Sequence, residues 1–565
     1  MNKIRNIVLC GLALCMASCV QDLNTKPIDP NAAVNLNVGA LFTKIYATLA
    51  TTGQTGAAGS GDLDDIDEGV SAFYRVMWEL NEFPTDEGWW IWNDAGVDVA
   101  RTMGWDGENT LVKGLYYRFI IDIKYCNHFL FYTQEPQDVA ANWTNERAEV
   151  RFIRALNYWY LLDMFRFIPY IEKESTDPND YPEFKSRKEM FEWLEAELTE
   201  LTTELPANRL SKYRVDQTAA WLLLSRLYLN AEVYAGEAKW KEARDAADMA
   251  INSSYKLHTG NITNKENIVY TAYQQLFMGD NDINGAQDEA VLLVYQDGKY
   301  CQAYGGSQFC IAANRDGGML PWGCSANWKC FRTSPEMVYK FFNQYEAENV
   351  LANEYNMREF AKDDRAIFCS YIEGKSDSWK LTGGMAADFY ASWACPKFTA
   401  VYSTADSLSI RLGSDSEFAD TDIPLIRIAE AYLTKAEAMF RLGDVSGAMN
   451  LINSTIRERA EANPLTSLDE ATLCDEWCRE FWGEGRRRTD LVRFNRFAGP
   501  QADANAYHWE GRGNSGNFKS MEEKWNWFPV PSDDKKTNPN YKLQVLNDKG
   551  ADMIGGDGYD YVTGE

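Results

Sequence analysis

Histidine is the scarcest reactive residue in this chain of 565 residues: only His128, His258 and His508 occur, far apart. Imidazole metal clusters and histidine-based catalytic relays therefore have almost nothing to draw on. Positive charge is short as well, with 56 Lys and Arg against 83 Asp and Glu and a formal charge of −27. A surface of that sign repels phosphate backbones, which argues against nucleic-acid binding through broad electrostatics. Neither Gly-x-Ser-x-Gly nor His-Glu-x-x-His occurs, so the common serine esterases and zinc peptidases are disfavoured. After the N-terminal leader no apolar run approaches the length of a membrane-spanning helix. Aromatic residues abound instead. There are 19 Trp, 30 Tyr and 27 Phe, more indoles than a core alone requires.

The N-terminus reads as an address. Lys3 and Arg5 precede an apolar stretch from Ile7 to Ala17, too short to span a bilayer and the right length for an export signal. It ends in Met16-Ala17-Ser18-Cys19, small residues before a cysteine, which resembles the lipobox of bacterial lipoproteins with Cys19 as the acylated residue. Met16 stands where leucine is usual. Cleavage before Cys19 removes Lys3 and Arg5 and takes the formal charge from −27 to −29. Pro27 and Pro30 then favour an extended tether.

Of the 12 cysteines, nine remain after the leader and Cys19 are set aside. Cys301, Cys310, Cys324 and Cys330 crowd into one Gly-rich stretch, where one or two disulfides are expected. The spacing lacks Cys-x-x-Cys, which argues against zinc. Cys474 and Cys478, four apart, read as a helical pair or as small core residues.

Helical periodicity is strong in two blocks. Residues 148–168 place Val150, Ile153, Leu156, Tyr160, Met164 and Phe167 on one stripe. A second helix is expected over 187–205, a third over 216–234 capped by Asp216, and its partner over 239–253 across a turn at Gly236. Late in the chain, 424–442 predicts a helix with Pro424 in its first turn, followed by another over 445–460. Hairpins of about 34 residues with small alanines at the contacts resemble tetratricopeptide repeats. Residues 260–420 are rich in Gly, Asn, Asp and aromatics. The expected organisation is a signal at 1–18, a lipidated tether at 19–40, a helical scaffold at 41–260, a loop-rich binding subdomain at 261–420, repeat-like helices at 421–500 and an irregular region at 501–565. The fold class is mostly all-α.

The densest functional signal is 62–97, where Trp89, Trp90 and Trp92 lie beside Asp86, Glu87, Asn93 and Asp94. Exposed rings flanked by hydrogen-bonding side chains suit a sugar platform, because a ring stacks on the C–H face of a pyranose while Arg, Asp and Asn bond its hydroxyls. Taken alone, the cluster reads first as buried structural aromatics and second as a sugar platform.

Six collinear stretches resemble the SusD/RagB family, nutrient-binding outer-membrane lipoproteins of Bacteroidetes. They are the lipobox at Cys19, NEFPTDEGWW at 81–90, AEVRFIRALNYWYLLDMF at 148–165, DIPLIRIAEAYLTKAEAMFRLGD at 422–444, CREFWGEGRRRTDLVRF at 478–494 and FPVPSDDKKTNPN at 528–540. The resemblance implies four tetratricopeptide-like hairpins carrying a loop-rich binding subdomain, a non-catalytic glycan binder, and a partner in a SusC-type TonB-dependent transporter. DIDEGVSAFYR at 65–75, WIWNDA at 90–95, YGGSQF at 304–309 and NWKCF at 327–331 are further similar to a starch-binding member. That similarity implies an aromatic arc of Trp92, Tyr304 and Trp328, with Asp67 and Arg75 bonding sugar hydroxyls. It implies starch or malto-oligosaccharide, an α-glucan, as ligand. Ala95 stands where that member's pattern has Asn, so Asn93 or Asp94 has to supply the bond.

Asp280-Asn281-Asp282-Ile283-Asn284 alternates oxygen side chains like the start of a calcium loop. Asp420 and Asp422 are implied by the starch-binding relative as further ligands of a structural Ca²⁺. Turn chemistry and helix capping explain Asp280, Asp282 and Asn284 as well. No organic cofactor is expected. Arg486, Arg487, Arg488, Arg493 and Arg496 form the one basic cluster, best read as ion pairs locking a helix to an acidic scaffold. The rival function is a surface glycosidase, which needs two carboxylates about 5–9.5 Å apart; with 83 acids in the chain that criterion does not discriminate.

Overall fold

Apolar residues that recur every three or four positions lie on helices. The computed structural model describes residues 37–134, 142–165, 167–173, 180–371, 392–407, 413–505, 509–512 and 519–540. Its longest elements are the Thr110–Tyr132 and Thr144–Met164 helices. The first starts where the Asn109 side chain accepts from the backbone N–H groups of Leu111 and Val112, satisfying donors that a helix leaves unpaired at its start. The second stops at Phe165, before Pro169, which lies in the short Ile168–Tyr170 strand. A capping box of Ser186 and Glu189 opens Arg187–Glu204. Asp216 caps Gln217–Leu229, as its sequence position predicts. The helix expected over 216–234 breaks at Asn230, resumes as Ala231–Ala235 and ends at Gly236, whose φ of 75° suits glycine.

These helices pack as successive neighbours. Thr110–Tyr132 lies against Thr144–Met164, which lies against Arg187–Glu204 and so on to Gln217–Leu229 and Trp240–Ile251. Trp240–Ile251 buries Ala243, Ala246, Ala247 and Ala250. Those small side chains let it meet the late helix Ala429–Arg441 closely, which buries alanines of its own. The repeat-like stack thus joins two blocks far apart in sequence. A turn at Gly443 leads to Val445–Ile452, which runs on through a π turn at Asn453–Arg457. The fold is mostly helical, as the periodicity predicts.

One boundary differs in kind. Pro424 is not in a helical first turn. Ile423–Arg427 is a strand paired antiparallel with Ala290–Val294, and the helix starts only at Ala429. The apolar run at 290–294 offers this segment a ladder partner, and tertiary pairing overrides the helical reading. A second ladder joins Gly88–Trp90 to Phe331–Thr333, Gly88 opposite Thr333 and Trp90 opposite Phe331. These ladders fasten the irregular middle of the chain to the helices.

The basic cluster is structural. Arg487 forks onto Asp86 at 2.7 and 2.8 Å, Arg488 pairs with Asp163, and Arg493 holds Glu437 at 3.0 Å. Arg486 bonds Asp490 at 3.0 Å. Asp86 and Glu87, which looked like possible sugar contacts, are buried in this network. Glu87 accepts from the Gly483 N–H at 2.8 Å.

The disulfides expected among Cys301, Cys310, Cys324 and Cys330 do not form, and no disulfide occurs among the described residues. Cys310 lies on the buried Ser307–Ala313 helix and Cys330 at the base of the 331–333 strand, so each is fixed by its own element. Cys474 and Cys478 are small core residues, with the Cys478 sulfur 3.3 Å from that of Met337. Residues 1–36, including the leader and Cys19, lie outside the described residues, as does His508. Among the described residues no helix is long and apolar enough to cross a membrane.

Asp122, buried in the Thr110–Tyr132 helix, has its carboxyl raised to about 7 by burial, with Arg118 opposing. An unfolded aspartate titrates near 3.9. Between pH ~4 and ~7 the folded chain therefore keeps a proton that the unfolded chain has lost, and Asp122's contribution falls as pH rises through that window. Asp122→Asn is expected to lose less stability than the parent chain between pH 5 and pH 8, by on the order of 1–3 kcal/mol. Parallel urea melts at the two pH values measure this, and identical pH dependence in both proteins would refute it.

Candidate functional site

The site grows from the end of the 88–90/331–333 ladder. The ladder continues through Ile91 N–H to the Cys330 carbonyl at 2.7 Å, so the residues just beyond it, Trp92 and Trp328, emerge on adjoining strand ends. Trp89 and Trp90 are buried at 5 % and 2 % exposure, whereas Trp92 is 42 % exposed. Of the three clustered indoles, only Trp92 faces solvent. Trp90 supports it edge-on at 6.1 Å and is itself stacked on Phe309 at 5.6 Å.

The three rings named from sequence come together. Trp92 and Trp328 have centroids 6.5 Å apart and planes 33° apart. Tyr304 follows Trp328 at 6.2 Å and 50°. The ring planes therefore turn at each step along Trp92, Trp328 and Tyr304. Trp328 is anchored by its N–H to the Ala312 carbonyl at 2.7 Å, and the next residue, Lys329, takes a left-handed φ of 57°. Tyr304 reaches its place because Gly305 lies against the start of the Phe73–Glu82 helix. A Cβ at Gly305 would come within 2.0 Å of the Ala72 Cβ, and the Gly305 carbonyl accepts the Arg75 N–H at 3.1 Å.

Arg75 packs on Phe309, the ring that also stacks on Trp90. Its guanidinium sits 4.8 Å from the Phe309 centroid and donates to Glu79 at 2.8 Å. Burial pulls the Arg75 pKa down, but Glu79 more than offsets this and the guanidinium stays charged. Burial also raises the Glu79 carboxyl. Asp67, exposed at the start of the Glu68–Val70 turn, accepts the Gly69 N–H at 2.9 Å. Asp67 and Arg75 flank Gly69, where a Cβ would stand 2.7 Å from Arg75 Nη1 and 3.0 Å from Asp67 Oδ1. The residue between them has to be small. Asn93 is exposed next to Trp92, whereas Asp94 has an oxygen committed to the Trp90 indole N–H at 2.9 Å. Asn93 is thus the better placed substitute for the amide that Ala95 lacks.

Two residues at the far end escape sequence reading. The Tyr304 hydroxyl donates to Glu417 at 3.4 Å, and the Tyr304 ring packs on Phe418 at 5.1 Å. Burial, then Glu417, raises the Tyr304 pKa, so its hydroxyl remains protonated and able to donate. Glu417 lies 113 positions away, and no local pattern signals it.

The carboxylates named for calcium meet other partners in this structure. Asp280 accepts from Ser403 and Thr404, through both backbone N–H and hydroxyl groups, at 2.9–3.2 Å. Asn284 points its amide nitrogen, a donor, at Asp280 from 3.3 Å. Asp420 accepts from Gly298, Ser414 and Tyr402. The backbone N–H groups of Ser403, Thr404, Gly298 and Ser414 cannot ligate a cation, whereas the hydroxyl oxygens of Ser403, Thr404 and Tyr402 can. Asp282 pairs with the Lys212 ammonium, which supplies the positive charge in place of an ion. Asp422 accepts the Gln296 N–H at 2.6 Å, and burial raises its carboxyl, with Asp282 adding to the effect. Among the described residues no group of three or more His, Cys, Asp or Glu is arranged to hold a metal.

Comparison with known proteins identifies the family and the fold. A family model described as the SusD family matches residues 289–547. The starch-binding protein SusD of Bacteroides thetaiotaomicron is 36 % identical over 556 residues, covering 93 % of this chain and 95 % of that protein. A SusD-like carbohydrate-binding protein of Bacteroides fragilis superposes with a TM-score of 0.61 at 17 % identity, over 89 % of this chain and 98 % of the other. A crystal structure with xylogluco-oligosaccharide gives a TM-score of 0.61 at 18 % identity, over 88 % and 97 % of the two chains. With six collinear motifs, a shared helical architecture and a relative matched almost end to end, the chain belongs to the SusD family.

Proposed function

We propose that this protein captures a glycan on the three-ring arc, that the glycan is an α-1,4-glucan such as starch or a malto-oligosaccharide, and that the protein passes it to a SusC-type TonB-dependent transporter. The observation that carries the reading is the set of three neighbouring rings whose planes turn by 33° and 50° from one to the next. An α-1,4-glucan coils, so rings on a curve meet successive glucoses, whereas a flat β-linked chain calls for a flat strip. Asp67, Arg75 and Asn93 supply hydrogen-bonding groups to the sugar hydroxyls, and Glu417 steadies Tyr304. The name of the starch-binding relative supports the substrate class. The structure with xylogluco-oligosaccharide supports the coarser reading, an oligosaccharide ligand.

In this reading the protein binds and does not cleave. It sits at the outer membrane, facing the exterior, held by acyl chains on Cys19. Each buried methylene contributes about 0.8 kcal/mol to such an anchor. Native gels containing amylopectin, pullulan, dextran or xylan test the ligand. Retardation by amylopectin and pullulan, without release of reducing ends, is expected. Retardation by xylan alone, or sugar release from amylose, would overturn the assignment.

A further inference from the structure

A second groove lies apart from the arc and shares none of its residues. It encloses about 1130 Å³, beyond the roughly 300–1,000 Å³ usual for a compact small-molecule pocket. One wall is the Thr110–Tyr132 helix, which contributes Tyr117, Lys124 and Tyr125 at spacings that keep them on one side. The second wall is residues 169–173 with residues 180–183, and the third is Asp534 with residues 537–540. The walls are braced. The Tyr116 hydroxyl donates to Asp534 at 2.8 Å, and the Asn538 and Asn540 amides donate to the carbonyls of Pro182 and Tyr181 at 3.0 and 2.9 Å. Lys185 stands 4.3 Å over the Tyr170 ring, fixing it.

The lining repeats the chemistry of the arc. The lining holds phenol rings together with amide, carboxylate and ammonium groups, and its charges are of both signs, Lys124 and Lys173 with Glu172, Asp180 and Asp534. Mixed charge with several rings suits an uncharged, polyhydroxylated chain better than a polyanion or an apolar helix. Burial raises Tyr117 and Tyr125 to about 12, so both remain hydroxyl donors.

We infer that this groove is an accessory carbohydrate-binding site, one that holds a second stretch of the same polymer chain while the arc holds the first. The inference rests on the glycan-binding reading for its class of ligand. Two weak sites on one body raise the affinity for a long polymer through effective concentration, without changing the affinity for an oligosaccharide too short to bridge them.

The test uses the mature protein in amylopectin, pullulan, dextran and xylan gels, with maltoheptaose calorimetry alongside. Tyr117→Ala/Tyr181→Ala is expected to weaken polymer retardation on the order of tenfold while leaving maltoheptaose affinity within about twofold. Tyr117→Phe/Tyr181→Phe, which keeps the rings, is expected to retain most of the retardation. Should the double alanine variant fold poorly, Tyr181→Ser, at a side chain 37 % exposed, carries the same expectation in smaller measure. Parent-like retardation of the folded groove variants would overturn the inference and leave the groove to a protein contact, with the arc reading intact. A parent protein that binds none of the polymers would overturn both.

Discussion

Trp328→Ala is expected to lower the affinity for maltoheptaose by at least tenfold, and Trp92→Ala/Trp328→Ala to abolish measurable binding. Trp328 is the middle ring, 6.5 Å from Trp92 and 6.2 Å from Tyr304, so its removal both deletes one stacking surface and separates the other two. Stacking contacts contribute about 0.5–1.5 kcal/mol each, and about 1.4 kcal/mol is a factor of ten. A site built from three such contacts, less the cost of ordering the sugar, binds in the range of tens of micromolar to millimolar, and a further tenfold loss leaves little to titrate. Trp92 is exposed and Trp328 is half-buried at the ladder's end, outside the helical stack, so melting is expected to remain cooperative, with the larger drop in the Trp328 variants. Unchanged heats in isothermal titration calorimetry for Trp328→Ala and for the double variant would remove these rings from the site.

The second large effect is on stability. Arg487→Met is expected to destabilise the fold by about 3–5 kcal/mol, the usual cost of leaving one member of a buried ion pair behind. Asp86 is buried at 1 % exposure and sits between Arg487, at 2.7 Å, and Lys340, at 3.0 Å. Burial alone would raise its carboxyl, but Arg487 first and Lys340 second hold it far below the ordinary range. A depressed carboxyl stabilises the fold above the unfolded pKa, and that contribution is lost as pH falls through the folded value. The variant should therefore melt several degrees lower at pH 7 and lose less on acidification than the parent. Asp86→Asn/Arg487→Met, which removes both charges, should recover part of the loss. A single variant that melts with the parent would show that the pair contributes nothing.

Much of this was readable from the chain, for identifiable reasons. Helices with one apolar stripe, such as Thr144–Met164, announce themselves through spacing, and Trp92, Tyr304 and Trp328 through short motifs that keep their order. The arginines were readable as locks because an acidic chain offers each a partner. What escaped depended on distant pairing. Pro424 looked like a helix start because its strand partner lies more than a hundred positions earlier at 290–294. Trp89 and Trp90 could not be separated from Trp92 until the ladder with 331–333 showed which of them it covers. The thiols at 301–330 looked close enough to bridge, yet separate elements fix them. Glu417 meets Tyr304 only through folding.

The two ends of the aromatic row are mounted differently. Trp92 and Trp328 project from paired strands, so their separation is set by backbone hydrogen bonds that tolerate little change. Tyr304 leans on Glu417 and Phe418, side chains of a connecting segment. Substitutions near 417 are therefore able to shift Tyr304 alone, while the helical framework and the other two rings stay as they are.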